Sequence, residues 1–328
     1  MTTKNNTVLS GIKSGFAGGV RKGWSGLLWL LKILVPISFA TALLVHFGII
    51  YRLDFILAPV MNFLMLPSEA ALPIIIGLFT GIYGAVAAMA VIPLPVEQMT
   101  LIAVFLLISH NIIQESIVQG KSGLNVFAAA FFRIFVSIVT TYVCGKIMGA
   151  TVPQMAGSAA AALEPAKQPF AAMFLEWGVD ISKLAVQIFC IIMPLMILLE
   201  TAKQFNLIQY VTRLSAPILA VMGLSRNTGM LWLTACIFGL AYGAAVIVEE
   251  TKTNHFTKEE LTKLHLSIGP NHAMIEDPAL FLPLGIPALW LWIPRLVAAI
   301  CITYTFNALS MLRRLHVKRT CHKELCNN

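Results

Sequence analysis

Charge is what this sequence has least of: only 12% of its residues are Asp, Glu, Lys or Arg, while 58% are hydrophobic. A soluble domain carries roughly a quarter charged residues because its surface must face water, so a soluble fold is excluded and lipid is the solvent for most of the chain. Catalytic signatures are missing as well. There is no Gly-rich phosphate loop with a following Lys, no HExxH pair and no defensible Ser/His/Asp set, so no enzyme is expected. Disulfides have no framework: of six cysteines, Cys144, Cys190, Cys236 and Cys301 sit in apolar runs and Cys321 and Cys326 in the tail. Cys321, His322 and Cys326, with His316 upstream, match no standard zinc spacing, so no metal site is expected there. No cleavable leader is expected, because residues 1–23 hold Lys4, Lys13, Arg21 and Lys22 without an apolar core.

What the chain does have is apolar stretches of membrane-spanning length: Trp24 to Ile50, Ala70 to Ile92, Val126 to Cys144, Leu184 to Leu199, Met230 to Val248 and Ala288 to Leu309. They are apolar all round rather than alternating, which predicts helices and not barrel strands. The expected fold is all-α, a polytopic helical membrane protein. The net charge of +8 does not point to nucleic acid, because the basic residues gather at the chain ends, where Arg313, Arg314, Lys318, Arg319 and Lys323 close the sequence. Positive-inside anchoring accounts for them and places both termini in the cytoplasm, in a multi-pass cytoplasmic-membrane protein.

The halves repeat. Pro36 falls on Pro194 (194 − 36 = 158) and Ala58-Pro59 on Ala216-Pro217 (217 − 59 = 158). Phe79, Tyr83, Gly84 and Ala85 fall on Phe238, Tyr242, Gly243 and Ala244 (242 − 83 = 159). The polar run His110 to Ser116 meets Asn271 to Asp277 (276 − 115 = 161), and Arg133 meets Arg295 (295 − 133 = 162). Landmarks in one order indicate duplication, a hallmark of transporter architecture. The organisation read from this is an N-terminal cytoplasmic segment 1–23, a first unit 24–148, a linker 149–178, a second unit 179–310 and a basic cytoplasmic tail 311–328.

Loop charges predict that the units are inverted. Residues 201–227 hold Lys203, Arg213 and Arg226 with no acid, whereas the equivalent 47–69 holds Arg52 against Asp54 and Glu69. An inverted pair needs an odd number of crossings per unit, so one interrupted stretch in each, Pro93 to Gly123 and Glu249 to Gly285, is expected to enter and leave on one face as a re-entrant hairpin. An ordinary fourth span is the competing reading. In the second unit the stretch opens with a capping-box pattern at Thr257-Lys258-Glu259-Glu260 and is expected to break at Gly269-Pro270.

Ionisable groups at membrane depth imply a partner or a wet cavity. The candidate substrate-binding residues are therefore Asn111, Gln114, Glu115, Asn271, His272, Glu276 and Asp277, with Ser109, His110 and Ser267 supplying further donors and acceptors beside them. Arg133 and Arg295 are candidate buried ion-pair partners for Glu115 and Glu276. Tyr83-Gly84 and Tyr242-Gly243 read as close helix packing, and Pro36 and Pro194 as kinks.

The order of a Pro-kinked helix, an amphipathic helix with Ala-Pro, the segment Leu66-Pro67-Ser68-Glu69-Ala70-Ala71, a Tyr-Gly-Ala helix and an Asn/Glu polar break resembles the nucleoside-recognition, or Gate, domain from Trp24 to Leu309. That family includes concentrative nucleoside transporters, the membrane part of FeoB-type iron permeases and spore-maturation membrane proteins. The resemblance implies two inverted Gate units and a central solute path. The chain departs from it in lacking a GTP-binding domain and clear scaffold helices beyond the repeats. The expected function is permeation of a small polar, nucleoside-like solute by alternating access, with no cofactor and with Na+ or H+ as the coupling ion. A homo-oligomer or a second Gate protein is the expected protein partner. The alternatives are a non-transporting component that acts with such a partner, and metal permeation, for which Cys or Met at the breaks is expected; Met274 is the one such residue nearby.

Overall fold

The computed structural model describes residues 2–48, 54–151, 169–205, 214, 217–253 and 256–326. Every regular element among them is helical. In lipid this is what the backbone requires, since an intra-segment ladder is the one open-chain way to satisfy its polar groups.

Helix α1 (Thr2–His46) and α8 (Phe170–Gln204) pack antiparallel along most of their length. Gly11, Gly15, Gly19 and Gly23 face Phe205, Thr201, Ile197 and Met193 in turn, and farther along Phe39 meets Trp177 and His46 meets Phe170. A Cβ on Gly15 would stand 2.7 Å from the Thr201 backbone, so the glycine stripe is what lets the two helices approach. Lys22 and Glu200 close an ion pair at 2.8 Å beside the stripe. At 45 residues α1 is about 68 Å long, more than twice a hydrocarbon core of ~30 Å, so it projects beyond the bilayer. The boundary expected at Trp24 therefore falls inside one continuous helix. Pro36 and Pro194 lie within α1 and α8, the equivalent first helices of the two units, which run in opposite directions.

A short α2 (Asp54–Phe63) leads through a 3-10 turn at Ser68–Ala70 into α3 (Ala71–Thr80) and α4 (Ile82–Met89). The run from Ala70 to Ile92, expected to be a single span, is instead two short helices folded back at Gly81 (φ 94°, ψ −179°). Along a straight helix residues eight apart are ~12 Å apart, yet a Cβ on Gly77 would lie 3.0 Å from that of Ala85. The hairpin is here, one element earlier than expected.

The stretch Val96–Lys121, long and apolar enough to cross a membrane, is interrupted at its middle and made of α5 (Val96–Ser109) and α6 (Ile112–Lys121). Helix α7 (Val126–Met148) returns beside both halves: Gly120 lies against Val126, Arg133 reaches the carbonyls of Ile108 and His110, and Gly145 stands near Leu101. Of the re-entrant or broken helix expected at Pro93 to Gly123, the structure has the broken one, α5 running on into α6 beside α7. Helix α5 is buried on every side from Leu101 to Ser109, which makes it the centre of the fold. The opposite face of α7 carries exposed Phe127, Phe131, Phe135 and Ile147, a stripe suited to lipid.

In the second unit α9 (Arg226–Thr253) turns at Gly239 (φ 82°, ψ 171°), so the run from Met230 to Val248 is also interrupted. Then come α10 (Lys258–Asn271), α11 (Glu276–Phe281), a 3-10 turn at Leu282–Leu284 and α12 (Ala288–Cys326). The capping box at Thr257 and Glu260 is formed, with Glu260 N–H donating to Thr257 Oγ1 at 3.1 Å and Thr257 N–H to Glu260 Oε2 at 2.9 Å. The helix continues through Gly269-Pro270 and breaks later, at His272 and Ala273. Among the described residues four helices or helix pairs are long and apolar enough to cross a membrane: Val96–Lys121, Val126–Met148, Phe170–Ala202 and Ala288–Leu312. Most of the linker, the loop after Phe205 and the side chains of Tyr242, Gly243 and the C-terminal tail lie outside the described residues.

Candidate functional site

The site forms where the broken helices of the two units meet. In the first, His110 is extended (φ −60°, ψ 161°) and Asn111 left-handed (φ 47°, ψ 39°), which ends α5 and starts α6 in a new direction. Asn111 is suited to this conformation, which most side chains avoid. Its N–H donates to the Gly77 carbonyl at 3.1 Å, pinning the break against the hairpin. A Cβ on Gly81 would fall 2.7 Å from Asn111 Nδ2, so both the positive φ and the contact demand glycine at the hairpin tip.

The second unit repeats the main features of this break. His272 is extended (φ −75°, ψ 157°), Ala273 has φ 45°, and its N–H donates to the Ala235 carbonyl at 3.1 Å. Gly239 at the second turn stands over Ala273 as Gly81 stands over Asn111.

Breaking a helix frees carbonyls that lipid cannot satisfy. An arginine on the following span takes them in each unit. Arg133 Nε donates to Ile108 O at 2.9 Å and its Nη2 to His110 O at 2.9 Å; Arg295 Nε donates to Pro270 O at 2.6 Å and its Nη2 to His272 O at 2.5 Å. Both side chains are fully buried. A cation at a helix C-terminus also answers the partial negative charge there.

These bonds set the register between the units at 162 (295 − 133 and 272 − 110), not the 161 expected for the polar run. His110 is the counterpart of His272, and Glu115 that of Asp277; Glu276 is the counterpart of Gln114. Arg133 is ion-paired with Glu115. No carboxylate lies within 4.0 Å of Arg295 among the described residues, so the expected pair with Glu276 is not formed. Glu276 instead accepts from Tyr83 Oη at 2.9 Å, across to the first hairpin. Gln114 points outward and away from the cluster. Asn271 is buried with both amide atoms unpartnered.

Four side chains converge. The His110 and His272 rings lie 4.9 Å apart, tilted by 34°. His110 Nε2 is 3.3 Å from Glu115 Oε1 and 3.4 Å from Asp277 Oδ2, and His272 Nε2 is 3.2 Å from Glu115 Oε2. Each unit's histidine thus meets the other unit's acid. His110, which the sequence reading left out of its binding set, is the residue that joins the two acids. Its signal was its spacing of 162 from His272, the same as that of the arginines. Tyr83, expected for close helix packing ahead of ligand contact, likewise reaches across to the second unit through Glu276.

The fold and this site define a class: an α-helical membrane protein of two equivalent units whose broken helices meet at a buried polar cluster. Residues 27–161 match the Gate family, described as nucleoside recognition. A membrane protein of Bacillus subtilis (strain 168), YvoD, described as uncharacterized, is 28% identical over 290 residues, covering 88% of this chain and 92% of the relative. No solved structure matches. The family match covers most of the first unit and the start of the linker; the equivalence of the second rests on the shared turns, breaks and arginine caps.

Proposed function

We propose that this chain is a cytoplasmic-membrane permease that carries a small polar solute past the junction of its two broken helices. The observation behind it is the meeting of His110, Glu115, His272 and Asp277, two from each unit, in one buried cluster. Polar groups are costly at membrane depth unless something hydrated or charged uses them, and broken helices around a central site are the usual build of a carrier. Alternating access would move one unit against the other about this cluster. Two observations support inverted units: the equivalent helices α1 and α8 run antiparallel, and the loops differ in charge as positive-inside orientation requires.

The two histidine rings lie 4.9 Å apart, so a nucleoside-sized solute would have to part them, whereas a small ion would need less room. Uptake by proteoliposomes, assayed across nucleosides, small organic acids and divalent cations, tests the reading. Accumulation of one class above protein-free vesicles is expected. Uptake of none, by protein shown to be folded and inserted, overturns it.

A further inference from the structure

We infer that His110, His272 and Asp277, with Glu115 beside them, form a binding site for one divalent first-row transition cation. Nδ1 of His110 lies 2.8 Å from the Leu106 carbonyl and Nδ1 of His272 lies 2.7 Å from the Gly269 carbonyl. A carbonyl can only accept, so each Nδ1 is the N–H and each neutral ring presents a lone pair at Nε2. Both Nε2 atoms face carboxylate oxygens, which are acceptors too. With both rings neutral the centre of the cluster is acceptors on all sides, which a bound cation would answer.

The geometry suits a metal. One donor atom from each of His110, His272 and Asp277 lies within 4.8 Å of the others. Within that trio His110 Nε2 and Asp277 Oδ2, 3.4 Å apart, match the edge of about 3.3–3.4 Å in a tetrahedral site with bonds of 2.0–2.1 Å, and Glu115 stands 3.3 Å from His110 Nε2 and 3.2 Å from His272 Nε2 through its two oxygens. His272 Nε2 and Asp277 Oδ2 are buried and make no hydrogen bond, their near contacts being Glu115 and His110 inside the cluster. The outer shell is in place as well: backbone carbonyls orient both imidazoles, and Arg133 holds Glu115. Two imidazoles favour zinc-like ions over calcium or magnesium, which take oxygen cages. The sulfur ligands expected for a metal path are replaced here by histidine and aspartate. That this cation is also the cargo rests on the permease reading above; binding does not.

The test is equilibrium dialysis of the full chain in detergent with Zn2+ and Co2+, in a Cys321→Ser, Cys326→Ser background that removes the tail thiols. One ion per chain is expected, with visible Co2+ bands of a low-coordinate N/O site that Zn2+ abolishes. His272→Gln and Asp277→Asn should weaken binding by more than the roughly 10–100-fold that loss of an outer-shell partner costs. His110→Cys, which keeps a donor, should retain binding and shift the Co2+ spectrum toward thiolate, separating ligand loss from misfolding. Stoichiometry well below one in the folded parent, or binding unchanged in His272→Gln, overturns the site. Binding without proteoliposome uptake of the same ion keeps the site and overturns its role as a carrier of that ion.

Discussion

Replacing the two buried arginines by methionine separates what each one does. Arg133→Met strands two carbonyls, at Ile108 and His110, and leaves Glu115 without its ion partner. Each unsatisfied buried acceptor costs about 1–3 kcal/mol, and an unpaired buried charge adds about 3–5 kcal/mol. Arg295→Met strands the carbonyls of Pro270 and His272 and leaves no pair broken, so only the smaller part, about 2–6 kcal/mol, applies. The second substitution decides. Glu115→Gln should rescue much of the Arg133→Met loss, a coupling above ~1 kcal/mol, whereas Glu276→Gln should add to Arg295→Met without coupling, because Glu276 bonds Tyr83 instead. Unfolding in mixed detergent micelles, scored as a double-mutant cycle on each side, measures both. Coupling as large between Arg295 and Glu276 as between Arg133 and Glu115 would refute the register of 162.

Other perturbations probe the frame around the site. Gly81→Ala places a side chain at φ 94° and 2.7 Å from Asn111 Nδ2, and should destabilise the fold by roughly 1–3 kcal/mol or more, read in the same micelle assay. Gly15→Leu should part α1 from α8, which loss of a cross-link between cysteines placed at Ser14 and Gln204, now 2.7 Å apart through their side chains, would report. Tyr83→Phe removes the hydroxyl that holds Glu276 and should cost about 1.5–3 kcal/mol, the scale of a bond to a charged group; a loss under a few tenths would show that the bond carries nothing.

The helical class was legible because long apolar runs admit one solution in lipid, and the duplication because proline and arginine are rare in such runs. The hairpin was not. Gly81 sits among apolar residues, and glycine is common in membrane helices, so the run from Ala70 to Ile92 reads as continuous although its turn needs φ 94°. The break at Ala273 left no compositional mark either, since alanine signals helix; its partner Asn111 did. Gly269-Pro270 drew the expected break too early, because α10 carries Pro270 in its last turn and passes its freed carbonyls to Arg295. Polar residues on both sides of each break let the run slide by one position, which paired Glu115 with Glu276 in place of Asp277. Only the side chains that cross between units, His110 to Asp277 and His272 to Glu115, remove that ambiguity.

The central claim, that the two broken helices build one carrying site, is tested most directly by uptake in proteoliposomes holding Glu115→Gln, Asp277→Asn or Gln114→Ala. Loss of uptake in the first two, with Gln114→Ala at the parent rate, is the expected result. Parent-like uptake in Asp277→Asn would contradict it.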